Sequence, residues 1–248
     1  MLSIARTESR NHRVIMILTL MITTTVGCNA NRQNVVRSWG TMREVLAEGK
    51  RHARVRISDV ATADTYAVGA LEHLAGEITI YNGECWFAQD IDGELVTEIR
   101  EPQDEQATLL ALSVVEHWQS SLIKKVGDRT QLEDYIEGAA IAAGLDLAQP
   151  FPFTIVGKLD AKGHVINGGC PYADESSSPH YIDIEGDAII VVGIFAKNHA
   201  GKLTHHGRRT HMHTIRKESP IAMAHLDDIL TGQELILHLP ANATNHTR

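Results

Sequence analysis

An α+β fold, rich in strands and with few helices, is what this sequence predicts, on three observations. Asn82-Gly83 and Asp92-Gly93 separate short β-prone runs and mark a meander. Residues 130–143 carry both a start and a stop signal for a helix. Beyond them, runs of Val, Ile, Leu, Phe and Thr recur between turn residues as far as Leu239. No glycine pattern of a dinucleotide or phosphate loop and no solenoid repeat interrupts this layout.

In chain order, Arg6, Arg10 and Arg13 precede an uncharged apolar stretch, 14–26, that is short for a membrane span. It ends in Thr25-Val26-Gly27-Cys28, which reads as a lipobox. Residues 1–28 are therefore expected to be a signal peptide with a lipid-bearing Cys28. The protein would be exported, periplasmic or a bacterial membrane lipoprotein, touching the membrane only through Cys28; a plain secretory signal is the alternative. Residues 29–38 read as a polar tether, 39–240 as the folded domain and 241–248 as a tail.

Within the domain, Met42, Val45 and Leu46 share one helical face and Gly49 is a stop, so 39–50 predicts a helix. Residues 54–60 alternate like a strand. Residues 77–81 and 84–88 predict a hairpin, because Asn-Gly tolerates the positive φ that its tight turn requires; Asp92-Gly93 leads into a further strand at 94–99. The apolar run 107–117 suits a helix or a buried strand, and the strand is preferred. Thr130 and Glu133 have capping-box spacing, with Gly144 closing the helix they open. Strands are predicted at 153–159, 163–166, 188–195, 210–216, 221–226 and 234–239.

The 248 residues can bury a core without disulfides, in one large domain or two small ones. A net charge of −8, and no basic run interleaved with aromatics, argue against a nucleic-acid partner. Removing the leader takes away three arginines and one glutamate and makes the charge −10. Cys85 and Cys170 remain in the mature chain. Neither has a CxxC partner, so a thiolate metal site is not indicated, and whether they pair is open.

The chemistry concentrates in Thr210-His211-Met212-His213 and His225. Residues two apart on a strand share a face. A hairpin turned at 216–220 would set His213 opposite His225, both being six residues from Ser219, and opposed residues also share a face. Three imidazoles would then converge as a metal site with an open position. A one-residue slip would undo this, and surface histidines are the alternative in a chain with 14 of them. Imidazole ligands argue for zinc, although copper, nickel and iron accept them too. His199, His205 and His206 are read as surface residues of the preceding loop.

With these residues in view, the chain resembles the acetolactate decarboxylase family. One block is Tyr66-Ala-Val-Gly69 through Leu74-Ala-Gly76-Glu77-Ile-Thr-Ile-Tyr-Asn82-Gly83. The other is Val192-Gly193 followed by His211-Met-His213 and His225-Leu-Asp. The resemblance spans roughly 40–240. It implies two linked α/β subdomains, about 39–127 and 128–240, with mixed, largely antiparallel sheets. It also implies Zn2+ held by His211, His213 and His225, and decarboxylation of 2-acetolactate or a related 2-hydroxy-3-keto acid to acetoin and CO2. A homodimer is compatible with it. Glu77 matches the family's active-site glutamate, expected to bind the substrate hydroxyl or transfer protons; the alternative is an edge carboxylate. Glu72 and Glu84 are read as solvated.

The chain departs from the pattern twice. Where the family has a carboxylate-binding arginine, 159–170 has none. Lys162 or His164 would have to stand in, without the bidentate fork. His164 is therefore a candidate substrate ligand, or else a solvent-facing strand residue. The tail after Pro240 has no acid. A carboxy-lyase is the first reading. The others are a lipoprotein that binds a metal and a small ligand without turnover, and a zinc hydrolase in which Glu77 activates water.

Overall fold

Twelve strands and one α-helix form among the residues that the computed structural model describes, 34–170 and 178–241. The expected signal segment with Cys28, residues 29–33 of the tether and the tail from 242 on lie outside the described residues. In chain order the elements are β1 (Arg37–Trp39), β2 (Val55–Arg56), β3 (Thr65–Leu71), β4 (Glu77–Tyr81), β5 (Glu84–Ile91), β6 (Glu94–Ile99), β7 (Gln106–Val114), β8 (Trp118–Val126), α1 (Arg129–Ala142), β9 (Phe151–Val165), β10 (His180–Phe195), β11 (Thr210–Arg216) and β12 (Ala222–Pro240).

The first sheet runs β1-β7-β3-β4-β5-β6, with β2 also on β7. The second runs β11-β10-β9-β12-β8, and β11 pairs with β12 as well as β10. That extra pairing closes β9, β10, β11 and β12 into a ring, and the histidines sit on its strands. Every ladder is antiparallel, and the α+β class with few helices is borne out. The chain crosses between sheets at 115–117.

The meander forms as expected. Asn82 and Gly83 have φ of 53° and 80°, and Asp92 and Gly93 have 55° and 87°, the left-handed pairs that let two-residue turns match strand twist. The ambiguous apolar run is a strand, β7. The second half differs in length. Runs that read as separate strands merge into the long β9 and β12, because β-bulges absorb the polar and glycine interruptions that looked like turns. The register shifts lie between Gly186 and Ile189 in β10, and at Leu226/Asp228, Ile229/Thr231 and Gln233/Ile236 in β12.

Three local expectations need correction. The helix at 39–50 contracts to one turn, Arg43–Ala47. Trp39 belongs to β1, and Gly40 takes φ +71° where a Cβ would strike the Thr108 carbonyl. Met42 and Val45 are buried as their spacing implied. The strand at 54–60 is limited to β2, followed by a helical turn at Ile57–Asp59. Finally, α1 is capped by Asp128, whose carboxylate accepts the Gln131 N–H at 2.8 Å. Glu133 does not reach back in a capping box. It is buried and accepts the Thr210 hydroxyl at 2.6 Å.

The largest apolar cluster joins both sheets through Trp86, Phe153, Phe195 and Met212. A smaller one gathers Met42, Val45, Leu74, Leu109 and Ile166 beneath the site. Cys85 and Cys170 are both buried thiols. Gly193 faces Phe153 across the β9–β10 ladder, and a Cβ there would lie 2.3 Å from the buried ring. Gly193→Ala should therefore cost about 1–3 kcal/mol through overpacking. Urea unfolding would show it, and a midpoint matching wild type would mean that the ring has room to move.

Candidate metal centre

His211 and His213 share a face of β11. The ladders then set His213 opposite His225, and His225 opposite His164. The hairpin register expected from the sequence is the register found. Four imidazoles thus lie on one face, each at most 4% exposed. The rings of His211, His213 and His225 are 5.1–5.4 Å apart by centroid. One nitrogen from each lies within 4.8 Å of the other two, so this trio can hold a metal ion.

Burial decides their charge. Desolvation, reinforced by the neighbouring imidazoles, holds His211 and His225 well below the usual histidine range and pushes His213 down to about 3. The three are therefore neutral at physiological pH, the form that ligates. Thr79 on β4 meets His213 Nδ1 at 2.8 Å. The other nitrogen, Nε2, is buried with no hydrogen-bond partner, and Glu77 Oε2 at 3.6 Å is beyond reach. Leaving such a group unsatisfied costs about 1–3 kcal/mol. An orphaned nitrogen between two more neutral imidazoles fits a metal ion.

The first sheet supplies the acid. Glu77 opens β4 and is 3% exposed. Burial pushes its carboxyl up to about 8, with Asp227 adding to the rise and a backbone hydrogen bond at Ile166 opposing it. Glu77 and Thr79 are two residues apart, so one strand presents both to the cluster.

His164 is buried, not solvent-facing. Its Nδ1 lies 2.8 and 2.9 Å from the two oxygens of Asp227, which fixes the ring and turns Nε2 away from that carboxylate. Asp227 occupies the bulge in β12. Sequence reasoning passed over it, because a bulge breaks the two-residue period that would relate it to His225. Thr79 was missed too, although its two-residue spacing from Glu77 was a readable signal. Lys162, the other proposed stand-in, is exposed and does not line the cavity.

His205 corrects the surface assignment. The 196–209 loop is tied to the Arg43–Ala47 turn by Met42 N–H to Lys202 O and Arg43 N–H to Gly201 O, at 2.9 and 2.8 Å. This brings the His205 ring to 5.6 Å from that of His225. Burial lowers its pKa to about 4, with Arg129 adding to the effect. His206 is exposed and His199 partly so. Arg129, at the start of α1, is a buried cation near the site. Its guanidinium donates to the carbonyls of Thr210, Leu226 and Asp227, stapling β11 to β12 beside the ligands.

These side chains line a cavity of about 30 Å³, room for one or two waters. Glu77, His164, His205, His211 and His225 form its polar wall. Met42, Leu46 and His205 also line an outer cleft of about 400 Å³, so this trio stands between the cavity and the open cleft.

No family model and no curated protein matches the sequence. Solved structures do match. The crystal structure of α-acetolactate decarboxylase from Bacillus subtilis strain 168 aligns with a TM-score of 0.65 at 13% identity, over 84% of this chain and 85% of that one. A Staphylococcus aureus protein of unknown function, similar to α-acetolactate decarboxylase, aligns at 0.64 and 14%, over 85% and 87%. Acetolactate decarboxylase from Bacillus subtilis subspecies spizizenii aligns at 0.62 and 15%, over 84% and 86%. At the level of fold, the resemblance read from the sequence is borne out.

Proposed function

We propose that this chain, built on the acetolactate decarboxylase fold, is a carboxy-lyase that converts 2-acetolactate or a related 2-hydroxy-3-keto acid to acetoin and CO2. The observation that carries the proposal is the convergence of three buried neutral imidazoles on one point beside a buried carboxylic acid. His211, His213 and His225 would hold Zn2+. Bound there, zinc supplies Lewis acidity toward the substrate's adjacent oxygens and toward the negative charge that grows as CO2 leaves.

The chain's own residues do the rest. Glu77 holds a proton on its carboxyl up to about pH 8 through burial, and a nearby dication would draw that value back toward neutrality. It is thus poised to bind the substrate hydroxyl. Once the bond to the carboxylate carbon has broken, it can give its proton to the carbon that keeps the electron pair. Thr79 orients the His213 ring. His164, aligned by Asp227, and His205, neutral through burial, supply the ring nitrogens that face the substrate's oxygens where the family has a guanidinium. Met42 and Leu46 keep bulk water from the reacting carbon. The outer cleft of about 400 Å³, which shares Met42, Leu46 and His205 with the inner cavity, is the side from which the substrate would approach.

The test is zinc content together with CO2 and acetoin release from racemic 2-acetolactate. Tightly bound zinc with zinc-dependent acetoin formation is the expected result. Bound zinc without turnover would favour the ligand-binding reading and overturn the lyase. Absence of tight metal would overturn the centre itself.

A further inference from the structure

A second group of metal-ligating side chains lies outside the buried centre. We propose that His52, Glu72 and His73 form a surface site for a divalent transition metal. The inference is independent of the proposed decarboxylation. One donor atom from each of the three residues lies within 4.8 Å of the others. The rings of His52 and His73 are 5.4 Å apart, nearly perpendicular. Two imidazoles and a carboxylate suit zinc, cobalt, nickel or copper rather than calcium or magnesium, which prefer oxygen ligands.

The backbone holds these side chains in place before any ion arrives. The His73 N–H donates to the Arg51 carbonyl at 2.8 Å, and the Ala53 N–H donates to Glu72 Oε1 at 2.8 Å. These two bonds flank His52 on either side, so its position is fixed against the Glu72-His73 pair. His73 and Leu74 both take left-handed φ, 61° and 58°, a conformation disfavoured for side-chain-bearing residues. The Arg51 guanidinium donates to the Gly168 carbonyl at 2.6 Å, and the Gly168 N–H donates to the Leu74 carbonyl at 2.8 Å, which ties the turn down on its far side.

Glu72 and His73 do not already satisfy each other. Glu72 Oε1 lies 3.7 Å from His73 Nε2, past hydrogen-bond distance. Both are solvent-accessible, so water can complete the coordination shell. The next residue, Leu74, is buried and walls the inner cavity. The surface site therefore grips the outside of a turn whose inside faces the buried centre.

Titration with Co2+, followed by its visible absorption bands and by calorimetry, tests this. The purified wild-type protein is expected to take two equivalents, one tight and one weaker. His52→Ala/His73→Ala should lose the weaker equivalent and keep the tight one, with an unchanged circular dichroism spectrum. Glu72→Gln keeps an acceptor for Ala53 but loses the charge. Since even an outer-shell partner is worth roughly 10–100-fold in affinity, this variant should weaken the second equivalent by at least about tenfold. Wild type binding a single equivalent would overturn the proposal. So would a His52→Ala/His73→Ala variant that binds both equivalents as wild type does, since the second ion would then sit elsewhere. In either case the tight equivalent still reports on the buried centre.

Discussion

Replacing His211 with alanine is expected to remove the tight metal equivalent and reduce CO2 release to background. His211 is the cleanest of the three positions to test. His213 is bonded to Thr79 and His225 touches the ring of His164, so their loss would disturb other groups. Two imidazoles remain in His211→Ala, one short of the trio that can close on an ion. Loss of a ligand should cost more than the roughly 10–100-fold of an outer-shell change. Zinc analysis after dialysis, beside a CO2 assay, reads both effects. Circular dichroism matching wild type would show that the fold survives. A His211→Ala protein that retains tight zinc and wild-type turnover would mean that the trio is not the metal centre.

Glu77→Gln separates metal binding from chemistry. The amide keeps the shape but cannot hold and return a proton, so zinc should stay while acetoin formation falls by about 10²–10⁴-fold. The same variant tests the protonation state directly in metal-free protein. The folded-state carboxyl is raised to about 8 from an ordinary value of 4.5. The neutral form therefore contributes stability that is fully present below pH 4.5 and is lost as pH rises toward 8. Glutamine has no such dependence. Relative to wild type, Glu77→Gln should show an unchanged difference below pH 4.5 and grow steadily more stable up to pH 8. The slope limit is about 1.4 kcal/mol per pH unit. The buried histidines tilt stability the other way, since protonation of the unfolded chain destabilises the fold as pH falls below 6.5. They are common to both proteins and cancel in the comparison. A difference that stays flat from pH 4.5 to 8 would show that Glu77 is ionised in the fold.

Several features were legible because they depend on spacing along one strand or across one turn. Asn82-Gly83 announced its hairpin, whereas the continuous apolarity of 107–117 fitted a buried helix as well as the strand that formed, because periodicity alone does not separate the two. The symmetry of His213 and His225 about Ser219 predicted their opposition, because a two-residue period leaves only one face for each register. The same rule reaches Thr79 from Glu77, so that residue was readable and was passed over; Asp227 lies in a bulge of β12, where alternation breaks. His205 was not readable, because its position follows from two backbone hydrogen bonds between segments some 160 residues apart in the chain. Arg129 was not, because its carbonyl partners belong to β11 and β12. Asp128 displaced Thr130 as the helix cap once Glu133 had a buried partner at Thr210.

By itself, the sequence determined which side chains share a face: alternation and turn chemistry are local, and they oriented His211, His213 and His225 together before any contact was known. Only the tertiary structure decided what those faces meet. It brought β4 of one sheet against the histidines of the other and folded the 196–209 loop over them. The resulting burial is what leaves the imidazoles neutral and Glu77 protonated, because loss of water, which no residue spacing encodes, disfavours a charge whatever its sign.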